Sequence, residues 1–379
     1  MRNRIEVNLN QLKANLETVK SNLSKGTDII AVVKANAYGH GDIGVSKYLE
    51  ESCQIRTFAV AGLDEALRLR EGGIKSDILV LSYIDPEDLA LAVNNNITIA
   101  LISPEHAIAM SDKAGELGVK AKAHLKINTG MNRVGFDCKT FKQLMVIAGA
   151  YKLPNLDFTG IFSHFSSSDD LSKGAEPYTQ LQLERFEKVL QYLSEQGIKV
   201  GLRHISNSGA IGKYKFANFD AVRCGALMYG YNTAVDAKMN VKPVMQWKAA
   251  ISTVRTVGFG DAISYSRTFV AKEEMKIATI CIGYADGLPR SLSNKGTVLI
   301  HGVKCQCLGL VCMDQMMVDV SKVTDEIKMG DEAVIIGESR SDDGSKLLVQ
   351  TADDVAVMAG TCMHDVLSSI QSRVERVYL

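Results

Sequence analysis

Ile29-Ile30-Ala31-Val32-Val33-Lys34-Ala35-Asn36-Ala37-Tyr38-Gly39-His40-Gly41 decides how the chain is read. The apolar run 29–33 reads as a strand buried on both faces. It ends in a lysine, which a buried strand avoids unless the charge is paired or used. Small residues and two glycines follow, so the backbone can turn sharply and approach a ligand closely. At the mouth of a buried strand a lysine sheds its proton more readily, because desolvation disfavours the ammonium. An imine-forming or general-base lysine needs that property.

Strand-like runs recur after this stretch, at 58–61, 78–81, 98–102, 121–127, 158–162, 203–206 and 219–223. Helical periodicity falls between them at 64–71, 86–94, 104–117, 140–150 and 178–196, and residues 5–8 alternate like a short strand before a helix with Asn10 as its cap. Eight strands alternating with helices over some two hundred residues predict a (β/α)8 TIM barrel. Past residue 235 the pattern changes. Runs at 244–257, 275–282, 296–300, 305–320 and 332–336 follow one another across turns, with a helical insertion at 351–369. A mainly antiparallel β domain is expected there. The short polar stretch 232–240 sets the boundary, giving a barrel over 1–235 and a β domain over 236–379, with residues 1–9 free to pair with the β domain.

The 379 residues carry 43 Lys plus Arg against 43 Asp plus Glu, so no charge excess points to nucleic acid or an anionic membrane. The eight cysteines form no secreted framework, and Cys305-Gln306-Cys307 lacks the spacing of a zinc knuckle. Buried thiols in a reducing cytoplasm are expected, with no signal segment or membrane span and no metal.

In a barrel, working residues gather at the C-terminal strand ends. Those ends here offer Lys34, then Asn128-Thr129-Gly130-Met131-Asn132-Arg133, Ser163-His164, Asn207-Ser208-Gly209, and Arg223 followed by Gly225-Ala226. Ser208 and the amides around Gly225 and Ala226 follow strands seven and eight, where barrels commonly bind phosphate.

These segments together resemble the alanine racemases, pyridoxal-phosphate (PLP) enzymes. Lys34 to Gly41 matches the family's cofactor-lysine motif, and Lys126-Ile127-Asn128-Thr129-Gly130-Met131-Asn132-Arg133-Val134-Gly135 matches its K-x-D-T-G-M-x-R-x-G pattern, with Asn128 where aspartate is usual. The resemblance implies that Lys34 holds PLP as a Schiff base. It places Tyr38, Asn207, Ser208, Gly225 and Ala226 around the phosphate, and Arg223, held by His164, at the pyridine nitrogen. An arginine can only donate there, which leaves the ring unprotonated and favours racemisation over transamination. Arg133 would donate to the cofactor phenolate and a substrate carboxylate. Lys126 would buttress it, as a family lysine often found carbamylated.

In the β domain, Gly260-Asp261-Ala262-Ile263-Ser264-Tyr265-Ser266 resembles the segment of the family's catalytic tyrosine. Ile282-Gly283-Tyr284-Ala285-Asp286-Gly287 and Val311-Cys312-Met313-Asp314-Gln315 match substrate-pocket segments. The resemblance implies two bases, Lys34 and Tyr265, on opposite faces of the substrate, with Tyr284, Met313 and Asp314 lining its pocket. A phenol serves as a base near neutrality when neighbouring cations favour its anion, and His204 is a candidate neighbour. Tyr265 and Met313 would come from a partner subunit, making a homodimer. His364 stands where the family carries a tyrosine at the phosphate, so a pocket tolerating serine is expected alongside alanine. A serine racemase and a non-catalytic PLP carrier are the alternatives, and the β domain bearing Tyr265 argues against the carrier.

Overall fold

The computed structural model describes residues 2–233, 236 and 238–379. It divides into two compact units. One holds Gln11–Ala37 and Asp42–Lys242; the other holds the chain up to Asn10, Tyr38–Gly41 and Pro243–Leu379.

The first unit is a ring of eight parallel strands: Asp28–Val32, Thr57–Val60, Asp77–Val80, Ile97–Leu101, Ala121–Asn128, Leu156–Phe162, Leu202–His204 and Ala221–Cys224. The eighth strand pairs with the first, Cys224 opposite Ala31. Two backbone bonds complete the ring between the seventh and eighth: Asp220 N–H to Arg203 O at 3.1 Å and Arg223 N–H to Ser206 O at 3.0 Å. The (β/α)8 reading therefore holds. Its helices include Leu63–Glu71, Pro104–Glu116, Phe141–Ala150 and Ala175–Glu195. Helix Asp42–Cys53 is an addition to the sequence reading. Helix Leu9–Ser21 begins one residue before Asn10, which therefore lies in its first turn and is not its cap.

The second unit is a nine-stranded sheet. Met245–Val257 is its longest strand and bends at a register shift between Ile251 and Thr253. The bend lets it pair with Met275–Ile280, Glu332–Arg340 and Asn3–Val7. Every pairing is antiparallel except that of Asn3–Val7 with the terminal strand Glu375–Tyr378, where Arg4 lies opposite Glu375. The run read at 305–320 is two strands, Val303–Leu308 and Met316–Asp319. Gly309, at φ +75°, turns the chain out of the first of them. Likewise the 351–369 segment is two helices, Ala352–Ala359 and Met363–Ser368, broken at left-handed Gly360. No helix among the described residues is long and apolar enough to cross a membrane.

Candidate active site

Where the first barrel strand ends, the backbone inverts. Ala35, Asn36, Ala37 and Tyr38 all have φ between +52° and +54°, a left-handed turn of non-glycine residues. Each such residue is disfavoured by about 1–2 kcal/mol, so the surroundings must hold the turn in place. Ala37 N–H donates to Val33 O at 2.8 Å, Asn36 Oδ1 accepts from Asp42 N–H at 3.0 Å, and Glu65 accepts from Ala35 N–H at 2.6 Å and Ala61 N–H at 2.7 Å. Glycine is required at 39 and 41: both have positive φ, and a Cβ there would lie 2.3 Å from Leu367 O and 2.1 Å from the Tyr378 hydroxyl. The apolar run foretold the strand and the glycines foretold a turn; nothing in the sequence foretold its hand.

Lys34 is half-buried at the start of this turn. Burial lowers the proton affinity of its amine, Arg133 and Arg223 lower it further, and Glu65 opposes them. Lys126 is buried on the fifth strand, its Nζ 4.4 Å from the centre of the Phe162 ring. Burial, then Arg223 and Arg133, push its amine well below the ordinary lysine range.

Arg223 is fully embedded on the eighth strand. It donates to His204 Nδ1 at 2.7 Å, His164 Nδ1 at 3.0 Å, Ser163 O at 2.7 Å, Ile205 O at 2.9 Å and His204 O at 3.3 Å. Guanidinium has no acceptor, so both imidazoles take its protons at Nδ1. His204 then carries its own hydrogen at Nε2 and donates it to His124 Nδ1, 3.0 Å away. Burial followed by the Arg223 charge keeps His164 and His204 far below the usual histidine range and pushes His124 down to about 3, so the chain of rings is neutral. Burial brings Arg223 itself down to about 9, still protonated at neutral pH. Its Nε–H donates to no protein group among the described residues.

Arg133 lies exposed on a loop braced by one face of helix Ala175–Glu195. Tyr178 donates to Gly130 O at 2.8 Å, Gln182 to Thr129 Oγ1 at 3.2 Å, and Arg185 to Thr129 O at 2.9 Å. Asn128 fastens the loop through Asn132 N–H at 3.0 Å and Asp137 at 2.8 Å. Ser208 Oγ accepts from Gly225 N–H at 3.0 Å, and Asn207 caps the short helix behind it by accepting from Ala210 N–H at 3.1 Å. Gly225 and Ala226 are buried. The barrel thus brings together Lys34, Lys126, Arg133 and Arg223, and no carboxylate ion-pairs with any of the four among the described residues. This donor set suits an anion-bearing ligand. His124, Glu65 and the bracing trio at 178, 182 and 185 were missed from the sequence; only the i, i+4, i+7 spacing of the trio could have flagged it.

In the β unit, three motif segments are stitched together. Ser264 (φ +67°) donates its hydroxyl to Leu310 O at 2.6 Å and lies 3.5 Å from Cys312 Sγ. Tyr284 N–H donates to Cys312 O at 3.1 Å and Ala285 N–H to Met313 O at 3.0 Å. A Cβ on Gly283 would lie 2.3 Å from both carbonyl oxygens, so only glycine allows this contact. Tyr265, Tyr284 and Met313 are left exposed, at 68%, 41% and 53%. Asp314 is engaged by Arg373 at 2.5 Å, a partner the sequence reading did not foresee. His364 sits in helix Met363–Ser368 with its ring 5.8 Å from that of Tyr38.

A barrel with a lysine at its first strand end, an arginine held by histidines at its last, and an antiparallel β unit in the same chain defines a class of amino-acid enzymes. The family model described as "Alanine racemase, N-terminal domain" matches residues 7–233, and "Alanine racemase, C-terminal domain" matches 244–378. Alanine racemase 2 of Caldanaerobacter subterraneus subsp. tengcongensis is 39% identical over 378 residues, covering 99% of this chain and 94% of that protein. The solved alanine racemase of Clostridium difficile 630 superposes with a TM-score of 0.92 at 35% identity, covering 100% of this chain and 96% of its own. That of Bartonella henselae, solved with covalently bound pyridoxal phosphate, gives 0.86 at 27% identity with full coverage of both chains. The chain belongs to the alanine racemase family.

Proposed function

We propose that this chain interconverts L- and D-alanine with Lys34 and Tyr265 as its two bases and PLP as its cofactor. The observation that carries the reading is the barrel-end cation set, with no ion-paired carboxylate among the described residues, built around a lysine whose amine is biased toward its neutral form. Lys34 is the residue to hold PLP covalently. Ser208, fixed by its bond from Gly225 N–H, and the amide of Ala226 suit its phosphate, and the Nε–H of Arg223 suits its ring nitrogen. Once bound, PLP supplies the electron sink that makes an α-proton removable. Arg223 keeps its proton, Arg133 is positioned to receive a carboxylate, and Lys34 takes or returns a proton at its Nζ. Tyr265 does the same at its phenol oxygen for the other enantiomer, with Tyr284, Met313 and Asp314 around the substrate, Tyr38 and His364 toward the phosphate, and Lys126, neutral or carbamylated, behind Arg133.

The exposure of Tyr265, Tyr284 and Met313 supports a homodimer in which a second copy covers them. The eight free cysteines suit a reducing cytoplasm. Alanine, and not serine, is the substrate that the relatives' names support. The test is borohydride reduction of the yellow holoenzyme followed by peptide mapping, together with α-proton exchange of each alanine enantiomer in deuterated water. A tag on Lys34, and loss of inversion in Tyr265→Phe, is the expected result. A tag elsewhere, or full inversion in both directions without the phenol, overturns the reading.

A further inference from the structure

The two ends of the chain meet on one charge cluster that none of the sequence motifs announced. Asn3–Val7 and Glu375–Tyr378 pair in parallel with Arg4 opposite Glu375, so the residues two positions earlier, Arg2 and Arg373, stand side by side. Two like charges in register repel and require counter-charges. Those come from the two loops that carry Tyr284 and Met313. Asp286, with no exposed surface, accepts from Arg2 and from Arg373 Nε at 2.9 Å, and its other oxygen accepts from Gly283 N–H at 2.9 Å. Asp314 accepts from Arg373 Nη2 at 2.5 Å, with Arg2 Nη1 3.5 Å from its carboxylate and 3.4 Å from its carbonyl. Arg373 therefore spans both carboxylates with one planar fork, which a lysine cannot do. Gln371 N–H also donates to Asp286 O at 3.1 Å, tying the same loop to the segment before the last strand.

We infer that Arg2 and Arg373 are positioning residues that set the loop around Met313 and, through it, the tyrosine base. The connection is continuous. Asp314 follows Met313 and Cys312, Cys312 and Leu310 contact the Ser264 hydroxyl, and Ser264 precedes Tyr265. Ser264, Ser266 and Arg267 all have positive φ, so this tyrosine segment holds its shape through such outside contacts. The inference rests on the reading of Tyr265 as a base.

The test compares wild-type holoenzyme with Arg373→Gln, Arg373→Lys and Asp314→Asn; the last spares the buried Asp286 and protects the comparison should Arg373→Gln fold poorly. The primary isotope effect is measured with α-deuterated L- and D-alanine. Loss of folded enzyme alone lowers rates and leaves isotope effects untouched, whereas a misplaced base makes its own proton transfer more rate-limiting. Expected is a fall in kcat/KM of about tenfold or more, with the isotope effect rising for one enantiomer only, Arg373→Lys intermediate, and Arg373→Gln/Asp314→Asn no worse than the poorer single variant. Unchanged isotope effects, or equal rises for both enantiomers, overturn the inference. Tyr265→Phe run alongside separates the two failures: full inversion without the phenol removes the underlying reading, and abolished inversion with silent Arg373 variants removes only the clamp.

Discussion

Gly309→Ala isolates how the tyrosine segment is seated. Gly309 has φ +75°, and a Cβ there would lie 2.5 Å from Ser264 Cβ and 2.6 Å from Ile263 O. Two penalties follow. The left-handed conformation costs an L-residue about 1–2 kcal/mol. The overlap costs about 1–3 kcal/mol more, because neither a Cβ nor a backbone carbonyl can swing aside as a long side chain does. The sum is about 2–5 kcal/mol, or roughly 5–15 °C in the melting of a unit of this size. Relief requires Ile263 and Ser264 to retreat, which stretches the 2.6 Å bond from Ser264 to Leu310 and carries Tyr265 with it.

Gly344→Ala is the control. Its φ is +72°, yet nothing lies within 4 Å of the added carbon, so only the first penalty applies. Thermal melts of both holoenzymes by near-ultraviolet dichroism, with racemisation rates at 25 °C, complete the comparison. Gly309→Ala is expected to melt well below Gly344→Ala and to lose about tenfold or more in kcat, while Gly344→Ala keeps its rate. Equal melting and equal rates would refute the steric argument, since the conformational penalty would then account for everything.

Arg133→Gln removes a positive neighbour of Lys34, so the Lys34 pKa rises and half-maximal borohydride trapping moves to higher pH; no movement contradicts the electrostatic reading. The same depressed lysine has a linkage consequence. Between its lowered value in the folded chain and its ordinary value of 10.5, the unfolded chain holds a proton that the folded chain sheds, so this group makes the cofactor-free protein more stable as pH rises through that window. The difference between wild type and Lys34→Met in urea midpoints from pH 7 to 9.5 reads its sign, and a wild-type advantage that shrinks with pH argues against it. Gly160→Ala drives a carbon to 2.6 Å from the His124 ring and is expected to break its bond to His204. A loss of about 1–3 kcal/mol for the unpaired buried group follows. A low-field imidazole N–H resonance that survives in the variant would contradict this.

The barrel was legible because its signal is local. Five-residue apolar runs bounded by glycine and polar residues, alternating with 3.6-residue periodicity, suffice to place eight strands within a few residues. Features that depend on pairing across the chain were not legible. Read alone, 305–320 is one apolar run, and the left-handed backbone of Gly309, where the neighbouring Ile263 and Ser264 leave no room for a Cβ, marks where it turns. Asp314, as a lone carboxylate beside a pocket motif, reads as a ligand group; the parallel register of the first and last strands, which sets two arginines against it, joins residues more than 350 positions apart. The left-handed turn at 35–38 contradicts the preferences of alanine itself, and local propensity yields to tertiary restraint at such sites.

Arg223 shows why the histidines matter beyond packing. An arginine neutralised by a carboxylate would present little net charge to anything bound at its free Nε–H. Here the guanidinium charge is spread over two imidazoles and three carbonyls, all formally neutral, so it stays uncompensated in a buried setting. An acceptor placed at Nε–H would therefore receive a hydrogen bond and also feel a full positive charge opposing its own protonation. Replacing His204 with aspartate would convert the spread charge into an ion pair and weaken that opposition, without touching any atom that faces the ligand. On the proposed reading, in which a cofactor ring nitrogen meets this Nε–H, the bias against its protonation would depend on residues that donate nothing to it, and the neutral ring chain through His204 to His124 would preserve the arrangement inside the barrel.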